Sequence, residues 1–369
     1  MDLLIAPDLT WIQGRLQEGL GVRLRDGRVA SVGPLGTGTP DLRVHLLMPG
    51  ATDLQVNGGG GVLFNADPSS EGIAAIRVAH HGLGTHALLP TVITDAPEVL
   101  EAAAAAVIAA WGTPGVAGIH IEGPHIAPER RGTHDARHIR PLDSRTLAVL
   151  ERLRAAGIPV LLTLAPERAD PALLTRAAGR GVVLSAGHSS ATAEQAQAAL
   201  AQGVTMVTHL FNAMPPLHHR DPGLAAAAIL SDAWIGLIPD GIHVDWAMLR
   251  LALAARPRPD RCFIVSDAMP TVGGPDAFML YGQPIEVRNG RLVNAEGALA
   301  GAHVDMLTGM ARLHRQGGVP LESCIAMATD TPRAAMGLPP LEVASGTSAG
   351  SLAVLDEALG FAGWLDRLT

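Results

Sequence analysis

Short runs of apolar residues alternate with alanine-rich stretches along most of the chain. Few polar residues interrupt the apolar runs, which is typical of parallel strands covered on both faces of a sheet. The eight predicted strands are Leu47–Val56, His86–Ile93, Val116–Ile121, Pro159–Leu164, Val182–Ala186, Thr205–His209, Trp234–Ile238 and Arg261–Ser266.

The stretches between these runs have the features of helices. Several begin at a proline or a capping residue and end near a glycine, as helices commonly do. Eight strand–helix units in succession predict an α/β fold of the (β/α)8 barrel type. The predicted helices are Ser69–Gly82, Ala96–Trp111, Asp143–Ala156, Pro171–Arg180, Thr192–Gln202, Pro222–Leu230, Asp245–Ala255, Asp305–Arg315 and Leu321–Met336.

Both ends of the chain have a different pattern. The runs Gly21–Leu24 and Arg28–Val32 flank Asp26-Gly27, which is a hairpin signal, and Ser351–Leu355 follows a glycine-rich turn. We therefore expect residues 1–48 and 340–369 to form a small β-sandwich domain beside a catalytic barrel of residues 49–339. A further two-stranded insert is predicted at Phe278–Val293, with Asn289-Gly290 at its turn.

Composition excludes several classes of chemistry. All 27 basic side chains of the 369 residues are arginine. The lack of lysine excludes Schiff-base catalysis, lysine-bound pyridoxal phosphate, a P-loop lysine and a metal pair bridged by a carboxylated lysine. The net charge of −8 argues against a nucleic-acid partner.

The sequence predicts neither a membrane-spanning segment nor a secretory signal. Its longest apolar run, Ala102–Trp111, is about half the roughly 20 residues that a membrane-spanning helix needs. The N-terminus has no basic region followed by an apolar stretch, and Cys262 and Cys324 are the only cysteines. We expect no membrane partner and a cytoplasmic location.

Polar side chains follow several predicted strands at the end where the active site of such a barrel lies. Glu122, His188 and His209 come from three separate strand ends, and two histidines with one carboxylate leave a fourth zinc position open for water. A metal lowers the pKa of such a water and polarises a carbonyl group. Asp267, after the eighth strand, is placed to take the proton of that water and return it to a leaving nitrogen.

A set of motifs in chain order carries a resemblance to a known family. The chain resembles the amidohydrolase superfamily and, within it, the N-acetylglucosamine-6-phosphate deacetylases. The matching segments are Pro49–Gly60, Gly118–Pro124, Gly132–His134, Leu164–Glu167, Ser185–Ser189, Thr208–Met214, Arg220–Gly223, Asp240–Asp245 and Ser266–Ala268.

The resemblance implies deacetylation of an amino-sugar phosphate to the free amine and acetate. It implies that Glu122, His188 and His209 bind the metal, while metal-bound water attacks the acetamide with Asp267 as general base and then acid. His134 would contact the acetamide carbonyl group. The sugar phosphate would be held by Asn212, Ala213, Arg220 and His243, with contacts shared across a homodimer interface.

One departure from the superfamily concerns the number of metals. The usual His-x-His pair after the first strand is replaced by Gln55 and Asn57, and amides bind zinc poorly. We expect a vestigial second-metal position and one divalent metal per subunit, Zn²⁺ first, with Fe²⁺, Co²⁺ or Mn²⁺ as alternatives. Gln55 and Asn57 would then orient water or neighbouring groups, or serve the structure alone.

A second departure, Ala302-His303, leaves the identity of the sugar open. Another N-acylated sugar phosphate, such as N-acetylgalactosamine 6-phosphate, is an alternative substrate. A deaminase, a cyclic amidase and a non-catalytic barrel are further alternatives.

We predict no catalytic or metal-binding role for the other histidines. His80-His81 in a helix and His218-His219 in a loop are expected at the surface, and His120 is expected in a buried, hydrogen-bonded role. His125 is expected either in a structural role or at the mouth of the site.

Overall fold

The computed structural model describes residues 2–294, 297 and 299–369, and its centre is an eight-stranded parallel barrel. The eight predicted strands are all present, in the predicted order. Their bounds are Ala51–Val56, Thr85–Ile93, Ile119–Glu122, Val160–Leu164, Val183–Ala186, Val204–Val207, Trp234–Leu237 and Cys262–Ile264. Nearly every residue on them is buried, which explains why they read as uninterrupted apolar runs.

The first predicted strand is two strands in the structure. Leu42–Pro49 belongs to the small terminal sheet, and Ala51–Val56 belongs to the barrel. The break falls at Gly50, where a Cβ atom would lie 2.6 Å from both His86 Cβ and the Trp364 ring, so only glycine fits. Hydrophobicity alone could not mark this boundary, because both segments are buried.

Helices cover the outside of the barrel. The predicted helix Leu321–Met336 is divided at Thr329, because Pro332 has no N–H to continue the hydrogen-bond ladder. These helices are Ser70–His81, Pro97–Ala110, Ser144–Ala155, Pro171–Gly179, Ala193–Ala201, Gly223–Ile229, Trp246–Ala255, Met306–Arg315, Leu321–Ala328 and Asp330–Ala335. A last short helix, Leu365–Leu368, packs with the terminal sheet instead. None of the helices in the described part of the chain combines the length and apolar character that crossing a membrane would require.

The two ends of the chain form one separate seven-stranded sheet. Its N-terminal strands are Asp2–Ile12, Arg15–Gln17, Leu20–Arg25, Arg28–Pro34 and Leu42–Pro49, and its C-terminal strands are Leu352–Leu355 and Phe361–Trp364. The two groups join where Leu42–Pro49 pairs with Leu352–Leu355. The hairpin around Asp26-Gly27 is confirmed. We propose the division into residues 1–48 with 340–369 and residues 49–339.

The insert after the eighth barrel strand has three strands, so the prediction of two was wrong. The strands are Ala277–Leu280, Gln283–Arg288 and Arg291–Val293. The turn at Asn289-Gly290 is present, and a second turn lies at Tyr281-Gly282, where both residues have positive φ. Tyrosine is an unusual residue for that turn position, which hid the turn from sequence reasoning.

Candidate metal and catalytic site

Three side chains from separate strand ends meet at the C-terminal face of the barrel. Glu122 ends the third strand, His188 follows the fifth and His209 follows the sixth. The Nε2 atoms of His188 and His209 lie 3.1 and 3.0 Å from Glu122 Oε1, and these two nitrogens are 3.2 Å apart. All three side chains are buried. We call them the ligand triangle.

The hydrogen bond of His188 Nδ1, the ring nitrogen that points away from the triangle, indicates whether a metal fits between the three side chains. His188 Nδ1 lies 2.9 Å from the backbone oxygen of Arg130, which can only accept, so Nδ1 carries the ring proton. In the neutral ring the Nε2 lone pair then faces the Glu122 carboxylate and His209 Nε2, an arrangement that is repulsive without a cation between the donors. Two nitrogens and one carboxylate oxygen are a set that zinc and related divalent metals accept. The residues fit a metal.

The charges in the triangle support the same conclusion. Burial alone would raise the pKa of Glu122, but the adjacent His188 and His209 rings bring that pKa well below its ordinary value. Burial alone would lower the pKa of His209, but the Glu122 carboxylate raises it above its ordinary value. The site thus favours a negative carboxylate with positive charge beside it, and a bound metal would replace the proton.

His134 lies beside the triangle and is a fourth potential ligand. Glu122, His134 and His188 offer ligand atoms within 4.8 Å of one another, and the His134 and His188 ring centroids are 4.4 Å apart. The shorter distances from His209 favour His209 over His134 as the third ligand. Burial, followed by the neighbouring His188, lowers the pKa of His134 to about 3, so the ring is neutral at pH 7.

Asp267 follows the eighth strand and accepts hydrogen bonds from the side-chain amides of Gln55 and Asn57. Gln55 Nε2 donates to Asp267 Oδ1 at 2.9 Å and to Glu122 Oε1 at 3.1 Å, and Asn57 Nδ2 donates to Asp267 Oδ1 at 2.7 Å. Burial, followed by the Glu122 carboxylate, raises the pKa of Asp267 to about 6. A carboxyl group with a pKa in this range can both take and return a proton near neutral pH.

Asp53 is a supporting residue that sequence reasoning missed. Its Oδ1 accepts hydrogen bonds of 3.2 Å from the backbone N–H groups of Gln55 and Ser266, and Ser266 Oγ donates to its Oδ2. Complete burial raises the pKa of Asp53 to about 7. The residue ties the first barrel strand to the segment that carries Asp267. Its signal in the sequence was an acidic residue inside an apolar run.

The ligand triangle opens into a cavity of about 150 Å³. The cavity brings together most of the residues that the sequence analysis assigned to the site. Arg220 is not among the described lining residues: it is exposed, with its Nε donating to His219 Nε2 at 3.0 Å. The assigned residues that line the cavity are Asn57, Glu122, His134, His188, His209, Asn212, Ala213, His243 and Asp267.

A larger cavity of about 710 Å³ lies elsewhere and carries no such chemistry. It is lined by Trp11, Arg250 and Val319 among mainly apolar neighbours, and it reaches Cys262 at the start of the eighth strand. Catalytic residues in these barrels come from the opposite, C-terminal ends of the strands. The smaller cavity is therefore the candidate site.

Of the two histidine pairs expected at the surface, His218-His219 is exposed, whereas His81 is half-buried against Trp364 and His80 is buried. His80 is fully buried, with Nε2 2.9 Å from the Gly58 oxygen, so its expected surface role was wrong. Its spacing from Ile73 and Ile76 places it on the buried face of the helix, a signal that was available. His120 and His125 are buried and hydrogen-bonded, as expected.

Comparisons with known proteins identify the family. No family model matches the chain. N-acetylgalactosamine-6-phosphate deacetylase of Shewanella sp. (strain ANA-3) is 34% identical over 365 residues, which cover 96% of this chain and 92% of that protein. N-acetylglucosamine-6-phosphate deacetylase of Haemophilus influenzae is 31% identical over 309 residues, with 82% and 80% coverage.

A solved structure gives the same answer. The crystal structure of N-acetylglucosamine-6-phosphate deacetylase from Pasteurella multocida has a TM-score of 0.90 and 27% identity, and the match covers 98% of this chain and 97% of that one. The similarity includes both the barrel and the terminal sheet. The chain belongs to the N-acetylglucosamine-6-phosphate deacetylase family of the amidohydrolase superfamily.

Proposed function

We propose that the protein hydrolyses the acetamide of N-acetylglucosamine 6-phosphate and releases glucosamine 6-phosphate and acetate. The observation that carries the proposal is the ligand triangle with Asp267 held beside it by Gln55 and Asn57. The names of the relatives support the substrate class.

Glu122, His188 and His209 would hold one divalent metal, with zinc favoured by the two nitrogens and one oxygen. When bound, the metal supplies Lewis-acid catalysis and makes water nucleophilic at neutral pH. Gln55 and Asn57 turn their amide N–H groups towards Asp267, which leaves the second-metal position of the superfamily without its usual imidazole ligands.

The chain's own groups supply the proton transfers and the positioning. Asp267 takes the proton from the attacking water and returns it to the leaving nitrogen. His134 lines the same cavity, with its Nδ1 bound to Thr94, and its Nε2 would donate a hydrogen bond to the acetamide oxygen as charge develops there. Asn212, Ala213 and His243 would bind the sugar phosphate.

We propose a homodimer in which Arg220 reaches the phosphate in the partner's site. The exposure of Arg220, together with its place outside its own cavity wall, supports this arrangement. A planar guanidinium group forms paired hydrogen bonds with phosphate oxygens, and no lysine is present to replace it. A cytoplasmic location is proposed as well, because a sugar phosphate is charged and does not cross membranes unaided.

A second candidate substrate is N-acetylgalactosamine 6-phosphate. The Shewanella relative with that name covers nearly the whole chain. Leu299 and Gly301 line the cavity next to Ala302-His303, and His303 Nδ1 lies 2.9 Å from Thr271 Oγ1, so this departure from the family pattern is close to the site.

The test is acetate release from both sugar phosphates and from unphosphorylated N-acetylglucosamine, after chelation and after zinc is restored. Zinc-dependent release with a kcat/KM that favours N-acetylglucosamine 6-phosphate supports the proposal. A higher kcat/KM for the galactosamine compound would transfer the assignment to the second candidate. Release from neither phosphate with any divalent metal would refute both.

An Arg220→Ala variant should raise KM for the sugar phosphate by about 10- to 100-fold, since a charged hydrogen bond contributes about 1.5–3 kcal/mol. The change in kcat should be small because Arg220 does not line the cavity that contains the ligand triangle. Steady-state kinetics checks this result, with Arg176→Ala as a control on an exposed arginine that pairs with Glu151. An unchanged KM would contradict the phosphate role of Arg220.

A Gln55→Leu variant should lower kcat by about 10- to 100-fold, because one amide that serves both Asp267 and Glu122 is lost. Leucine has a similar volume, so the barrel should remain folded. Kinetics and metal analysis would be compared with Gln202→Leu, a change at an exposed helix end. Wild-type kcat in Gln55→Leu would leave only a structural role for this amide.

A further inference from the structure

The His188 and His134 rings are adjacent, but their Nδ1 atoms form hydrogen bonds with different kinds of group. The partner of His188 Nδ1 is the carbonyl oxygen of Arg130, which cannot donate. The partner of His134 Nδ1 is the hydroxyl of Thr94, at 2.7 Å, which can donate or accept. The carbonyl leaves the Nε2 lone pair of His188 free for a metal. The hydroxyl leaves the protonation of His134 to be decided by its surroundings.

The surroundings of Thr94 decide which nitrogen of His134 carries the ring proton. Thr94 is completely buried, and within the described part of the chain its hydroxyl has no hydrogen-bond partner except His134 Nδ1. A buried hydroxyl that only accepted would leave its own proton without a hydrogen-bond partner, which is unfavourable. The lower-energy arrangement has Thr94 Oγ1 donating to His134 Nδ1, so that the ring proton lies on Nε2.

Two neighbours hold Thr94 in this position. The phenol of Tyr281, at the first turn of the insert, donates to the Thr94 carbonyl oxygen at 2.5 Å. Gly123 lies against the hydroxyl, and a Cβ atom there would be 2.3 Å from Thr94 Oγ1. Thr94 is therefore held through its carbonyl oxygen by the insert, while its hydroxyl lies between the end of the third strand and His134.

We propose that Thr94 is a positioning residue that fixes His134 in its Nε2–H form. This proposal rests on the proposed function, in which His134 Nε2 faces the acetamide oxygen. An Nε2–H group donates to that oxygen and cannot ligate the metal through the same atom. Two adjacent histidines thus take opposite tautomers, one to bind the metal and one to bind the substrate carbonyl group.

The direct test is nitrogen NMR of protein labelled with ¹⁵N-histidine, with the His134 signals assigned from a His134→Gln variant. In metal-free and zinc-loaded wild-type protein, His134 should show a protonated Nε2 and an unprotonated Nδ1. Thr94→Val should lose this preference, and Thr94→Ser should retain it. Thr146→Val is the matched control, because it removes a buried threonine hydroxyl from His125, outside the ligand triangle.

Steady-state kinetics and metal content give a second, independent test of the role of Thr94. Thr94→Val should lower kcat by about 10- to 100-fold, with KM nearly unchanged and one metal per chain still bound. Thr94→Ser, which keeps the hydroxyl, should have nearly wild-type activity. A proton on His134 Nδ1 in the wild-type spectrum would overturn the proposal. Loss of metal in folded Thr94→Val would also overturn it, because His134 would then be a ligand.

Failure of the proposed function would look different. Wild-type protein that releases no acetate would refute the proposed reaction, whereas the tautomer of His134 would still be read from the spectrum. If Thr94→Val does not fold, the wild-type and Thr94→Ser spectra still decide the proposal.

Discussion

An Asp267→Asn variant is expected to release acetate with kcat lowered by about 10²- to 10⁴-fold, the range for loss of a general acid–base group. Asparagine has nearly the same size and retains an oxygen that can accept from Gln55 and Asn57. Its amide cannot take a proton from water or return one to the leaving nitrogen. Steady-state and single-turnover acetate release would measure the loss, and metal analysis would show one metal still bound.

The control for this experiment is Asp260→Asn, which makes the same change at an exposed aspartate paired with Arg258. It should leave kcat and metal content unchanged. Activity of Asp267→Asn within about twofold of wild type would contradict the proton-transfer role. Loss of the metal together with activity would identify Asp267 as a ligand instead.

The barrel could be predicted from the sequence because its strands are buried on both faces. The apolar runs marked all eight, and the rule that active sites lie at the C-terminal strand ends directed attention to Glu122, His188, His209 and Asp267. The structure brings these four residues together around one cavity.

Other features depend on contacts that a linear pattern does not contain. Thr94 and Asp53 act through hydrogen bonds to residues distant in sequence, so the sequence could not show their partners, although Asp53 stood out as an acidic residue inside an apolar run. Gly50 separates two buried strands without a change in hydrophobicity, and only the close approach of Trp364 explains it. The phosphate contact that we propose for Arg220 would likewise depend on a second subunit.

Removal of the metal by chelation is expected to lower kcat by about 10³-fold or more, because Lewis-acid stabilisation contributes several kcal/mol to the transition state. One equivalent of zinc per chain should restore activity, since Gln55 and Asn57 donate hydrogen bonds to Asp267 and amides are poor ligands for a second zinc. Calorimetric titration of the metal-free protein, followed by acetate release at each point, would measure the stoichiometry and the recovery together.

Variants of the ligand triangle test whether the activity lost on chelation depends on a metal bound by these three residues. His188→Asn and His209→Asn should each fail to retain zinc and remain inactive after zinc is added, whereas His45→Asn in the terminal sheet should behave as wild type. Two zinc equivalents needed for full activity would contradict the single-metal site. If His209→Asn retained zinc in full and His134→Asn lost it, the third metal ligand would be His134 and not His209. That result would also require an Nε2 lone pair on His134, so the metal and tautomer experiments must agree.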